Sequence, residues 1–117
     1  MDICFEGIGQ MVATFAAQKT LTPGMAVTMT GSGEVGLGET ASGGPLCGVT
    51  VGAQRNGAVA VQIGGVAKAG YSGTAPEVGW QKLACDGTGK VTAGGGNGVS
   101  CLVLAVDKDE QTVAVKL

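Results

Sequence analysis

The chain contains no histidine. That removes the Ser-His-Asp and Cys-His nucleophilic arrangements and the commonest metal ligand. Aromatic side chains are scarce: Phe5, Phe15, Tyr71 and Trp80 are the whole set in 117 residues. A core must therefore be built from Val, Ala, Leu, Ile and Met, with Trp80 expected to fill it. Charged residues make up only 14 % of the chain and the formal net charge is −2. The seven Lys and Arg residues never form a run, which argues against a phosphate-neutralising nucleic-acid binder. Four cysteines stand at positions 4, 47, 85 and 101, without a Cys-x-x-Cys; the nearest two are sixteen apart (101 − 85). No zinc finger or ribbon has that spacing, so the expectation is free, mostly buried thiols in a reducing cytosol. The start, "MDICFEGIGQ", carries acidic residues and no basic region of the signal-peptide kind, and no apolar run is long enough to span a membrane.

What the chain has in quantity is glycine, 23 residues, alongside 44 % hydrophobic residues. Disordered glycine-rich chains are poor in Val and Ile, so this one should fold. Apolar residues alternate with period two through residues 25–30, 49–51, 59–63, 103–106 and 113–117. Between these runs lie turn signals: Pro23-Gly24, Gly31-Ser32-Gly33, Asn56-Gly57, Asp86-Gly87, Asn97-Gly98 and the charged stretch 107–110. Short strands at this spacing predict an all-β domain, a small barrel or sandwich of antiparallel strands spanning 1–117. Residues 9–21 read better as strand than helix. Residues 1–20 are a candidate N-terminal arm, since a terminal apolar segment such as Ile3-Cys4-Phe5 often docks on a neighbour.

The chain also repeats itself. "CGVTVGAQRNGAVAVQI" (47–63) aligns without a gap on "CLVLAVDKDEQTVAVKL" (101–117), at a separation of 54 (101 − 47). Cys47 falls on Cys101, Val49 on Val103, Val59 on Val113 and Val61 on Val115, which places the two cysteines at matching small core positions. Upstream, Gly31, Gly33 and Val35 fall on Gly87, Gly89 and Val91 at a separation of 56 (87 − 31), and Gly24 falls on Gly79. The halves, about 24–63 and 79–117, read as duplicated units too small to bury an apolar face alone.

Candidate chemistry is sparse. "CDGTGKVT" (85–92) resembles a phosphate loop, but Val91 follows Gly89-Lys90 where Ser or Thr is required, and Ala84 stands where the first Gly belongs. Gly31-Ser-Gly33-Glu-Val-Gly36 is a formal Gly-x-Gly-x-x-Gly that reads as turn plus strand. Asp107-Lys108-Asp109-Glu110 reads as a solvated hairpin tip rather than a calcium loop. The expectation is no catalytic residue, no cofactor and no metal.

The layout resembles the tailed-phage capsid cement-like (decoration) proteins, a family also labelled as a RecA/RadA-type phage recombinase. The resemblance covers residues 20–117. It rests on Gly24-Met-Ala-Val27, Gly48-Val-Thr-Val51 leading to Val59-Ala-Val61, Gly65-Val-Ala-Lys-Ala69, Gly79-Trp80 with Leu83-Ala-Cys-Asp86, Gly89-Lys-Val-Thr92, Asn97-Gly98 and the closing 113–117. Ala84-Cys85 stand where the family often has an aromatic pair, and the last turn lacks the usual Gly. The phosphate loop a recombinase would need is missing. The resemblance implies a non-enzymatic virion protein, made in a bacterial host cytoplasm, that binds the major capsid protein on the shell's outer surface. It implies a homo-oligomer, a trimer by capsid geometry, with no nucleic-acid or membrane partner. Two other readings compete: a lipoyl- or biotinyl-type carrier, with Lys108 as the only candidate lysine, and a glycan-binding module needing an exposed aromatic platform from Trp80 and Tyr71.

Overall fold

A computed structural model describes residues 10–17, 19–37, 44–52, 54–93 and 98–117. Eleven strands make up its regular structure: β1 (Met11–Ala16), β2 (Ala26–Gly31), β3 (Glu34–Gly36), β4 (Gly44–Pro45), β5 (Gly48–Thr50), β6 (Ala58–Gly64), β7 (Val66–Ser72), β8 (Gly79–Cys85), β9 (Val91–Ala93), β10 (Val99–Asp107) and β11 (Thr112–Lys116). Among the described residues there is no helix. The all-β expectation therefore holds.

The strands pair into two rings of the same design. In the first, β1-β3-β2-β5-β6 closes into a barrel. In the second, β10-β11-β7-β9-β8 is closed by the pairing of β10 with β8, and β4 is added beside β8. Strand for strand, β1, β2, β3, β5 and β6 correspond to β7, β8, β9, β10 and β11. Even the exception recurs: β1 runs parallel to β3, and β7 parallel to β9, among otherwise antiparallel neighbours. The repeating unit thus starts with β1 and β7, earlier than residues 24 and 79.

The repeat also fixes the special backbone positions. Gly33 and Gly89 have positive φ at corresponding turns, and so do Gly57 and Gln111; Gly24 and Gly79 also have positive φ, but strand pairing sets Ala26 on Trp80, so Gly79, the first residue of β8, falls on Met25 and not on Gly24. At the second pair of turns, the carbonyl of Gly57 accepts from the Ala17 N–H and that of Gln111 from the Tyr71 N–H.

Two apolar clusters fill the rings. Leu21, Val27, Val35, Val59 and Val61 lie in the first; Tyr71, Leu83, Cys85, Val91, Val103, Val113 and Val115 dominate the second. Ala26, Leu46 and Val49 come from the first half of the chain yet pack into the second cluster, so the two barrels share one boundary. That boundary includes a backbone bond from the Ala26 N–H to the Gly89 carbonyl, 2.8 Å. β4 adds to it by crossing over to β8, Gly44 opposite Cys85. A side chain at Gly44 would meet Thr28 Oγ1 at 3.0 Å, so glycine lets β4 pass.

Three expectations need correction. Residues 11–16 of the supposed arm are a barrel strand, paired along their whole length with β6; closure of the first ring requires them. Residues 1–9 lie outside the described residues. The gapless alignment of the hairpins is off by one on its first strand. Thr50 stands opposite Val61 but Val103 opposite Val115, so Thr50, not Val49, corresponds to Val103. A bulge at Leu104, skipped between Val103 and Ala105, absorbs the extra residue. Consequently Cys47 and Cys101 do not match: Cys101 is buried in the second core, whereas Cys47 is half-buried, with Sγ 3.6 Å from the Pro45 carbonyl. Finally, Trp80 is not in the core; it is 69 % exposed.

Candidate interaction surface

Alternation along β8 explains the position of Trp80. Leu83 and Cys85 point into the second barrel, so Trp80 and Lys82, on the other parity, point out. Directly opposed residues on neighbouring strands share a face. Trp80 lies opposite Leu102, Leu102 opposite Lys116, and Lys116 opposite Val66, giving one continuous row across β8, β10, β11 and β7. Val78, beside the row, is 66 % exposed. Lys82 lies opposite Ser100 in the row on one side of it, and Lys68 opposite Ala114 in the row on the other. Strands β7, β8 and β11 carry no carboxylate, and β10 carries one only at its far end, Asp107; Glu77 precedes β8. The face thus combines Trp80, Leu102 and Val66 with a cation, Lys116, inside the row and Lys82 and Lys68 on either side of it.

Tyr71, the other aromatic weighed for stacking, is buried inside the second barrel. A Trp80–Tyr71 platform therefore does not form. The signal that Trp80 would face outward was available in the sequence only as parity with Leu83 and Cys85.

Between the barrels lies a cleft of about 330 Å³ lined by residues including Gly24, Val49, Thr50, Gln62, Val66 and Lys68. Its buried polar groups are satisfied from within. Thr50 Oγ1 donates to the Thr22 carbonyl (2.6 Å) and accepts from the Met25 N–H (3.0 Å). Gln62 Nε2 donates to the carbonyls of Gly64 (3.0 Å) and Val66 (2.8 Å), and Gln62 Oε1 accepts from Gln10 Nε2 at 3.4 Å. The Gln62 bonds tie β6 to the start of β7, while those of Thr50 hold residues 22–25 against β5.

The loops weighed for chemistry are turns. Asp86 Oδ1 accepts from the Thr88 N–H (2.8 Å), Thr88 Oγ1 (2.7 Å) and the Lys90 N–H (3.2 Å). Burial alone would raise its pKa, but these bonds and one from the Ser72 side chain hold it below the ordinary carboxylate value. The Thr88 and Lys90 bonds shape the β8–β9 turn, and the Ser72 bond ties it to β7. Asp107 Oδ1 accepts from the Asp109 and Glu110 N–H groups in the β10–β11 turn, where Lys108 is exposed. Among the described residues no group of three His, Cys, Asp or Glu side chains converges as a metal site would need. The thiol of Cys85 is pushed up to about 12 by burial, reinforced by nearby Cys47 and Asp86, and burial also raises that of Cys101. No protein-family model matches the chain, and no curated protein is significantly similar to it.

Proposed function

We propose that this protein is a non-enzymatic structural component of a phage or prophage virion that decorates or cements the capsid shell, acting as a homo-oligomer, a trimer, on the major capsid protein. The observation that carries the reading is the outward row around Trp80, where exposed Trp80 and half-buried Leu102 and Val66 stand with Lys116 on one sheet face of the double barrel. Large exposed apolar patches on small proteins mark surfaces made for other macromolecules, and aromatic side chains dominate the energetics of such contacts. The resemblance of residues 20–117 to capsid cement proteins supplies the partner. Mass spectrometry and gold labelling of purified particles, induced from a lysogen that encodes the chain, test it. The protein should be present on the outside of filled heads in numbers set by the shell lattice. Complete particles free of the protein would overturn the reading.

Exposure of Trp80 also favours a second reading, a glycan-binding module stacking a sugar on that ring. Quenching or a shift of Trp80 emission on titration with glycans supports it; an unchanged spectrum rejects it.

A further inference from the structure

The internal repeat supplies a comparison within one molecule. The row Trp80–Leu102–Lys116–Val66 has a counterpart in the first barrel, defined by the same four strands: Ala26 opposite Val49, Val49 opposite Gln62, and Gln62 opposite Val12. Laid on one another through β3 and β9 instead, β2 and β8 put Ala26 on Lys82, two residues along and on the same face. The counterparts differ in what covers them. Ala26, Val49 and Gln62 are 0 %, 2 % and 5 % exposed, with Val12 at the open end of the row; Trp80 is 69 % exposed and Lys116 is exposed, with Leu102 and Val66 half-buried. Ala26 and Val49 are covered by the second barrel: by the Gly89 turn, through the Ala26–Gly89 bond, and by the start of β7 across the cleft. The first barrel has its own versions of those two receiving features, the Gly33 turn, whose carbonyl accepts from the Ala16 N–H (2.9 Å), and the start of β1. There, Met11 and Val12 are 60 % and 45 % exposed. Each barrel thus has an outer face and a receiving edge. One face–edge pair is joined inside the chain; of the other pair, Trp80 and Lys116 on the face and Met11 and Val12 on the edge are exposed.

We propose that the open pair is joined between copies: the Trp80–Leu102 face of one chain seats on the Met11–Val12 edge and Gly33 turn of a second copy, repeating the contact between the two barrels of a single chain. Self-pairing of two Trp80 faces is disfavoured, because it would set Lys68, Lys82 and Lys116 against their own copies. The contact is head-to-tail, so its repetition closes into a ring or runs on as a filament. A closed ring of three chains would hold six barrels in near-equivalent positions. The proposal rests on the shell-decorating reading only for the choice of three; absence from particles would sink that reading and leave this contact standing.

The test uses the full chain and two one-sided variants, Trp80→Lys and Val12→Lys, each checked for the wild-type melting temperature. A second face variant, Val78→Lys, lies outside the strands and serves if Trp80→Lys fails to fold. In light scattering the wild type should give a multiple of 11.4 kDa, and each variant alone a monomer. Mixed, the Trp80→Lys and Val12→Lys chains should form a one-to-one dimer, because each keeps the half-site the other lacks. A wild type that stays monomeric at every accessible concentration, or folded variants that associate like the wild type, would overturn the proposal. So would a mixture that stays monomeric, since the intact face of one variant and the intact edge of the other would then not fit each other.

Discussion

At the residue scale, the acid and thiol groups behave as parts of turns and cores. Asp86 was legible in the sequence as a turn residue, because Asp-Gly followed by Thr-Gly is an Asx-turn pattern. Its folded pKa lies below the ordinary value of 3.8. The sign follows: its stabilising contribution is fully present above pH 3.8 and is lost as pH falls through the lower folded value. Asp86→Ala should cost about 1 kcal/mol at neutral pH. It should also flatten the acid limb of a stability–pH profile measured by urea unfolding; an unchanged limb would show that the carboxylate is not held as described. The cysteines were legible only as thiols. Which of them are sheltered depends on a one-residue bulge that no alignment of the hairpins reveals. Cys85 and Cys101 are buried and their thiols raised, so limited iodoacetamide labelling of the folded protein should modify Cys47 well before either. Peptide mass mapping reads the order, and equal labelling of Cys85 would contradict it.

At the scale of the element, the hairpins show what repetition preserves. The β5–β6 and β10–β11 turns differ in every residue of their tips, yet the position that accepts from Ala17 or Tyr71 keeps a positive φ in both. The first copy meets it with Gly57, the second with Gln111 at φ 55°. A left-handed conformation costs a side-chain-bearing residue about 1 kcal/mol. Gln111→Gly should therefore stabilise the protein by about 0.5–1 kcal/mol and Gly57→Gln destabilise it by a similar amount. Paired thermal melts check both signs. Val59, Val61, Val113 and Val115 were readable as matched core positions because the period-two pattern survives on the second strand of each hairpin. The first strands were misread because Cys47, Val49, Cys101 and Val103 fall into register as letters. Hydrogen-bond register instead answers to the bulge at Leu104. The strands β1 and β7 were hard to place for another reason: each pairs parallel with a strand two steps on, a contact that leaves no turn signal.

At the scale of the whole molecule, two rings of the same strand order are made unequal by how they pack. The duplicated all-β architecture was visible in the spacing of glycines and valines. The difference between the two outer faces was not, because local alternation cannot say which face another barrel will cover. Ala26 and Val49 are buried across the boundary, while their counterparts, Trp80 and Leu102, face outward. Removing Trp80 should therefore barely touch folding: Trp80→Ala should change stability by less than about 0.5 kcal/mol. Its effect should fall on association instead, in contrast to a core truncation such as Leu83→Ala, expected to cost about 2–5 kcal/mol.

The most direct measurement of the central claim, that the Trp80 face is a contact surface, uses the chain's only tryptophan as its reporter. Emission and acrylamide quenching of Trp80 would be followed over a dilution series of the wild-type protein. Blue-shifted, shielded emission is expected at high concentration, turning red and quenchable on dilution in step with a fall in mass to 11.4 kDa. Red, fully quenchable emission at every concentration would contradict the claim.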